Sequence, residues 1–167
     1  MAGIGKLDAA RQQLDCAIRL LDSEDLAAHT LAFAAYGLLR DLLGHGPDME
    51  VLLRLEKRVK LRNVPEFLKH GKHDPEAILK EHSHETAHLT ITLAIRLWEE
   101  HGQELTPAMQ NFGKRPDPYK PGHRHSAAVE TVRQGGPLAE LENIVTKPST
   151  ASSGAIIPGA RRRRKYD

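Results

Sequence analysis

Apolar residues recur every three or four positions through the first two thirds of the chain, and this rhythm is the strongest constraint on its fold. Leu7, Leu14, Ile18 and Leu21 share one side of a helical wheel, with Arg11, Asp15, Arg19 and Asp22 mostly elsewhere. The spacing predicts a first helix over 7–21. The polar run Asp22-Ser23-Glu24-Asp25 then offers N-cap oxygens to a second helix over 24–43. Ala27, Leu31, Ala34, Leu38 and Leu42 keep its rhythm, and its many small residues invite a neighbouring helix close. Gly44-His45-Gly46-Pro47 stops it, because glycine suits helix ends and proline cannot continue a helix.

A third helix starts near Asp48, with Leu52, Leu55 and Val59 on one face and Pro65 expected to end or kink it. A charged hairpin over 51–64 is the weaker alternative. Asp74-Pro75-Glu76 reads as a short helix start. A longer helix over 84–101 carries Leu89, Leu93 and Leu97 on one strip and Ile91, Ile95 and Trp98 on another, with Gly102 as its stop. Thr106-Pro107 caps a last short helix reaching Phe112. Aromatics are only 4% of the residues, so the core must be mainly aliphatic. The expected fold is all-α, a four- to five-helix bundle over residues 1–112.

The charge divides at the same place. Residues 1–112 hold 13 Lys+Arg against 17 Asp+Glu, and residues 113–167 hold 11 against 5. The second part is rich in proline and glycine, lacks a sustained apolar period, and ends in Arg161-Arg162-Arg163-Arg164-Lys165. We expect a disordered basic C-terminal tail there. One cysteine, Cys16, rules out an intrachain disulfide. No N-terminal segment reads as a signal peptide and no apolar run reaches bilayer length. The expectation is a cytoplasmic protein without a membrane partner.

Three groups of residues carry candidate chemistry. His29, Phe33, Tyr36 and Arg40 recur at helical spacing on one side of the second helix, and Lys69 and His70 lie on a connection expected to fold against it. Imidazole suits proton relay near neutral pH, and Lys or Arg suits phosphate. Packing of His29, Phe33 and Tyr36 in the core is the competing reading. Arg54, Lys57 and Arg58, with Arg161, Arg162, Arg163 and Arg164 in the tail, are candidates for contact with nucleic acid or an acidic protein, or simply a solvated face. No aromatics interleave with them, so reading of bases is not expected.

The third group is His84-Glu85-Thr86-Ala87-His88, an HExxH match. Residues four apart on a helix can grip one zinc while the glutamate acts as general base on bound water. Zinc is expected only under that alternative, and otherwise no cofactor. With ten histidines in the chain, three specified residues arise readily by chance, and His84 and His88 on a solvated first helical turn are the competing reading.

The paired opening helices with their small-residue second member resemble those of HEPN domains, which are helical bundles. HEPN ribonucleases carry an Arg, an adjacent polar residue and a nearby His, commonly at a dimer interface, and cleave RNA without metal. Here Arg62, Asn63 and His70 resemble that set, with seven residues between Arg62 and His70, one more than the pattern. The resemblance implies phosphate polarisation by Arg62, proton transfer by His70 and a possible homodimer. The segments His29-Thr30-Leu31-Ala32, Ala34-Ala35-Tyr36, Phe67-Leu68-Lys69-His70 and Asp74-Pro75 are also similar to those of a bacterial family of helical proteins. That likeness implies an intracellular helical protein and supplies no activity. The leading expectation is a HEPN-like binding or accessory protein, with a HEPN-type ribonuclease and then a zinc hydrolase as alternatives.

Overall fold

The structure is a computed structural model that describes residues 3–44, 47–69, 78–79, 82–116 and 131, without the side chains of Pro47, Asp48 and Arg58. Among the described residues six helices are delimited: α1 Lys6–Leu20, α2 Asp25–Leu43, α3 Pro47–Arg58, α4 Asn63–Lys69, α5 His84–Glu100 and α6 Pro107–Gly113. No strand occurs among the described residues. The protein is an all-α bundle.

α1 buries Ala10, Leu14, Ala17 and Ile18 along one stripe and turns directly into α2. The turn closes on the last carbonyls of α1, with Glu24 N donating to Leu20 O at 2.7 Å. The N-cap position of α2 is Glu24, and no side chain caps it, contrary to the expectation from the polar run. α2 presents Ala28, Ala32 and Ala35 to its neighbours, and the absence of bulk beyond Cβ brings α1 and α5 close.

α5 is the central helix. Residues 87–94 are all buried, so this stretch is covered on every side. Its buried threonines satisfy their hydroxyls locally: Thr90 Oγ1 donates to Thr86 O at 2.8 Å, and Thr92 Oγ1 to His88 O at 2.9 Å. Ser83 caps its first turn through Thr86 N. At its far end Gly102 takes φ +66°, a left-handed conformation natural to glycine, while the His101 side chain reaches Leu39 O of α2 at 2.9 Å. α6 starts at the Thr106 cap, whose hydroxyl also donates to Asp15 of α1 at 2.6 Å, and it buries Met109 and Phe112.

The third helix does not run to Pro65. α3 stops at Arg58, and Lys60 adopts φ +57°, which ends the helix and turns the chain. Pro65 instead sits in the first turn of α4, where its missing N–H breaks no intrahelical bond. The break divides into α3 and α4 the stretch expected to be one helix. The expected helix start at Asp74-Pro75 lies outside the described residues. Among the described residues no helix is long and apolar enough to cross a membrane.

Candidate functional site

The face of α2 that carries His29, Tyr36 and Arg40 looks onto the segment joining α3 to α4. Sequence spacing placed these three residues together, and tertiary packing brings Arg62 to them. The connecting group is Glu56, only 2% exposed. Its position follows from the α3 stripe: Leu52, Leu55, Glu56 and Val59 all face inward, so a carboxylate occupies what is otherwise an apolar row. A carboxylate within an apolar row is the sequence signal that could have singled it out.

A buried carboxylate must be paired. Arg40 Nη1 donates to Glu56 Oε2 at 2.7 Å, and Arg62 pairs through Nε with Glu56 Oε1. Arg40 is held from its other side by Asp41, with Nη2 at 2.9 Å and Nε at 3.2 Å from Oδ1. Its guanidinium also lies over the Tyr36 ring, 5.8 Å from the centroid. The result is an alternating chain of charge, Asp41–Arg40–Glu56–Arg62, running from α2 to the α3–α4 turn. Burial first, and then the Glu56 charge, push the ionisation of the Tyr36 phenol upward against the pull of Arg40 and Arg62. It stays neutral across the physiological range.

His29 is buried in the same face and ties it to the same turn. Its Nε2 lies 3.1 Å from Leu61 O, so the neutral ring donates there. The ring stacks on His82 at 5.8 Å between centroids, and His82 Nε2 is 3.1 Å from Asp25 Oδ1. Burial, reinforced by His82, lowers the His29 pKa to about 4 against the opposing influence of the Leu61 carbonyl and Asp25. His29 is therefore a neutral structural clamp at neutral pH.

Arg54, Lys57, Lys60 and Arg62 are exposed on α3 and the turn that follows it, on the side away from Leu52, Leu55 and Val59. Arg54 has Glu50 at 3.5 Å one turn back. Lys69, at the end of α4, lies 3.6 Å from Glu66 and is exposed on its own helix surface. The Arg58 side chain, His70 and Arg161, Arg162, Arg163 and Arg164 lie outside the described residues.

The HExxH residues divide between surface and interior. His84 is part-exposed, its Nε2 3.9 Å from Asp22 Oδ1. His88 is buried with its ring 4.6 Å from that of Phe112, so it does not lie on a solvated turn. Among the described residues no group of three or more His, Cys, Asp or Glu is arranged to hold a metal ion. An apolar groove of about 180 Å³ runs between α5 and α6, lined by Ile95, Leu105, Met109 and Phe112. Its single charged lining residue is Glu99, which makes it unsuited to an anion. Comparison with protein-family models, curated proteins and solved structures gave no match for this chain.

Proposed function

We propose that this protein is a helical nucleic-acid-binding or accessory protein that contacts the phosphate backbone through the cationic side of α3 and the α3–α4 turn. The observation that carries this reading is the set of exposed side chains of Arg54, Lys57, Lys60 and Arg62, gathered on one short stretch and backed by a buried, charge-paired base. A polyanion gains from such a row because each phosphate it neutralises releases a counterion. The low aromatic content, 4%, favours backbone contact over base stacking. The basic run at 161–165 adds cations that can extend the same contact.

The test is fluorescence anisotropy with single-stranded RNA at rising salt. Three or four backbone contacts give a slope of roughly −2 to −3 in log K against log salt. The double variant Lys57→Gln/Lys60→Gln lowers that slope by about one. Absence of binding at low salt, or a slope the double variant leaves unchanged, overturns this reading.

A further inference from the structure

The way α6 is tied leaves a groove on its α5 side. At its start the Thr106 hydroxyl bonds to Asp15 of α1, and beyond its end Arg115 meets Asp22 at 2.9 Å. Both ties lie toward α1 and the turn that follows it. Toward α5 the Phe112 ring packs on His88, and a groove of about 180 Å³ remains between the two helices. Met109 and Phe112 are its buried members, and Ile95 and Leu105 are part-exposed, so apolar surface faces solvent there. Covering such surface is favourable.

The charge beside this groove is acidic. Glu99 lines it with a side chain 42% exposed, Glu100 is the next residue, and Glu104 precedes the lining residue Leu105. Arg96 lies 2.5 Å from Glu100 but 3.9 Å from Glu99, so most of its charge is spent on Glu100. An occupant that fits is apolar in one part and cationic in the next.

The chain itself carries such a segment. Ala155-Ile156-Ile157-Pro158-Gly159-Ala160 runs straight into Arg161-Arg162-Arg163-Arg164, and no acidic residue stands between Glu142 and Asp167. The apolar run at 138–145 is a poorer match, because it includes Glu140 and Glu142, which Glu99 repels. α6 ends at Gly113, itself part of the groove lining, so the chain departs from the rim of the site. Ile156 follows 43 positions later, ample length to return at roughly 3.3 Å per residue. Because it is tethered, its local concentration exceeds what a separate molecule of equal affinity reaches.

We infer that the α5–α6 groove is the docking site of this chain's own segment 155–164. Ile156 and Ile157 cover the apolar lining, and the arginine run lies against Glu99 and its acidic neighbours. This stands apart from the nucleic-acid reading, since no residue of α3 lines the groove. A polyanion that takes the arginine run has to compete with Glu99 for it.

The experiment places a carbon-13 label on the methionine methyl groups of the full-length protein. Met109 lines the groove and Met49 lies on α3, so the first reports the site and the second is the control. Ile156→Asp/Ile157→Asp moves the Met109 resonance and leaves that of Met49 in place. A synthetic peptide of residues 153–166, added to this variant, returns the Met109 resonance toward its wild-type position. Glu99→Gln in the same background weakens the peptide about two- to fivefold at low salt, and the difference fades at high salt. A Met109 resonance that the isoleucine changes leave in place overturns the inference. So does one that responds to Leu138→Asp/Leu141→Asp instead, which assigns the groove to 138–145. A resonance that shifts with protein concentration overturns docking within one chain in favour of a second copy. A peptide indifferent to Glu99→Gln overturns the placement of the arginine run.

Discussion

The body made by α1, α2, α5 and α6 and the flank made by α3 and α4 are held by different chemistry. In the body, Leu14, Ile18, Leu89, Leu93, Leu97 and Phe112 are buried, its buried threonines bond to their own helix, and its polar ties between helices, His101 to Leu39 O and Thr106 to Asp15, lie at helix ends rather than in the core. The flank also buries leucines and valines, but it is tied to α2 by His29 onto Leu61 O and by Glu56 between two arginines. Apolar burial is non-directional and tolerant of small shifts, whereas the polar ties need partners at particular distances. The body thus supplies rigidity, and the flank supplies a surface whose charges are held in place.

The comparison breaks most severely in the body. Leu93→Ala, at a position 1% exposed, costs about 3–4 kcal/mol and lowers the denaturation midpoint of the whole bundle. Amide exchange that speeds up only in α5 would show that the body is not one cooperative unit. Glu56→Ala comes next, at about 3 kcal/mol, because it leaves Arg40 without its buried partner. Here the expected exchange pattern is the reverse, with α3 and α4 opening first while α1 and α5 keep their protection.

Acid gives a comparable effect at the same junction. The His29 pKa is about 4 in the folded protein against 6.5 ordinarily, so the unfolded chain takes up the proton first as pH falls. Stability from this group is complete above pH 6.5 and declines toward pH 4, by an amount of order 2–3 kcal/mol. Stability measured at several pH values should show wild type losing its advantage over His29→Gln across that window, and a constant gap would refute the assignment. The smallest effect belongs to a helix end. Thr106→Ala removes the α6 cap and the bond to Asp15, costs about 1 kcal/mol, and loosens α6 before anything else.

Much of the body was legible in the chain because its signals are local. The expected helix over 84–101 and the observed α5 differ by one residue at the end, and the expected 7–21 and 24–43 differ from α1 and α2 by as little. The Thr106 cap and the Gly102 stop lie where their chemistry requires. The flank was harder to read. Proline at position 65 suggested a helix end, but Lys60 ends the helix by its backbone conformation, and Pro65 begins the next. Sequence marks Arg40 by its helical spacing from Tyr36 and Arg62 by its place beside Asn63, whereas Glu56 is marked only by its position in the α3 apolar row.

Sequence alone determined that the chain is all-α, where most helices begin and end, and which residues form the inward stripes of α1 and α3. These follow from periodicity, propensity and capping, which act within a turn or two. On α2 the expected row Ala27, Leu31, Ala34, Leu38 and Leu42 is not the buried one, because packing against α1 and α5 turns Ala28, Ala32, Ala35 and Leu39 inward. Only the tertiary structure decided that His29 meets a carbonyl 32 residues away, and that Glu56 faces Arg40 across 16 residues. It likewise decided that His88 belongs to the core beside Phe112. A buried charge or imidazole declares that it needs a partner, but its residue type does not say which one. That choice is made when whole helices pack and each polar group must be satisfied by whatever the packing brings within reach.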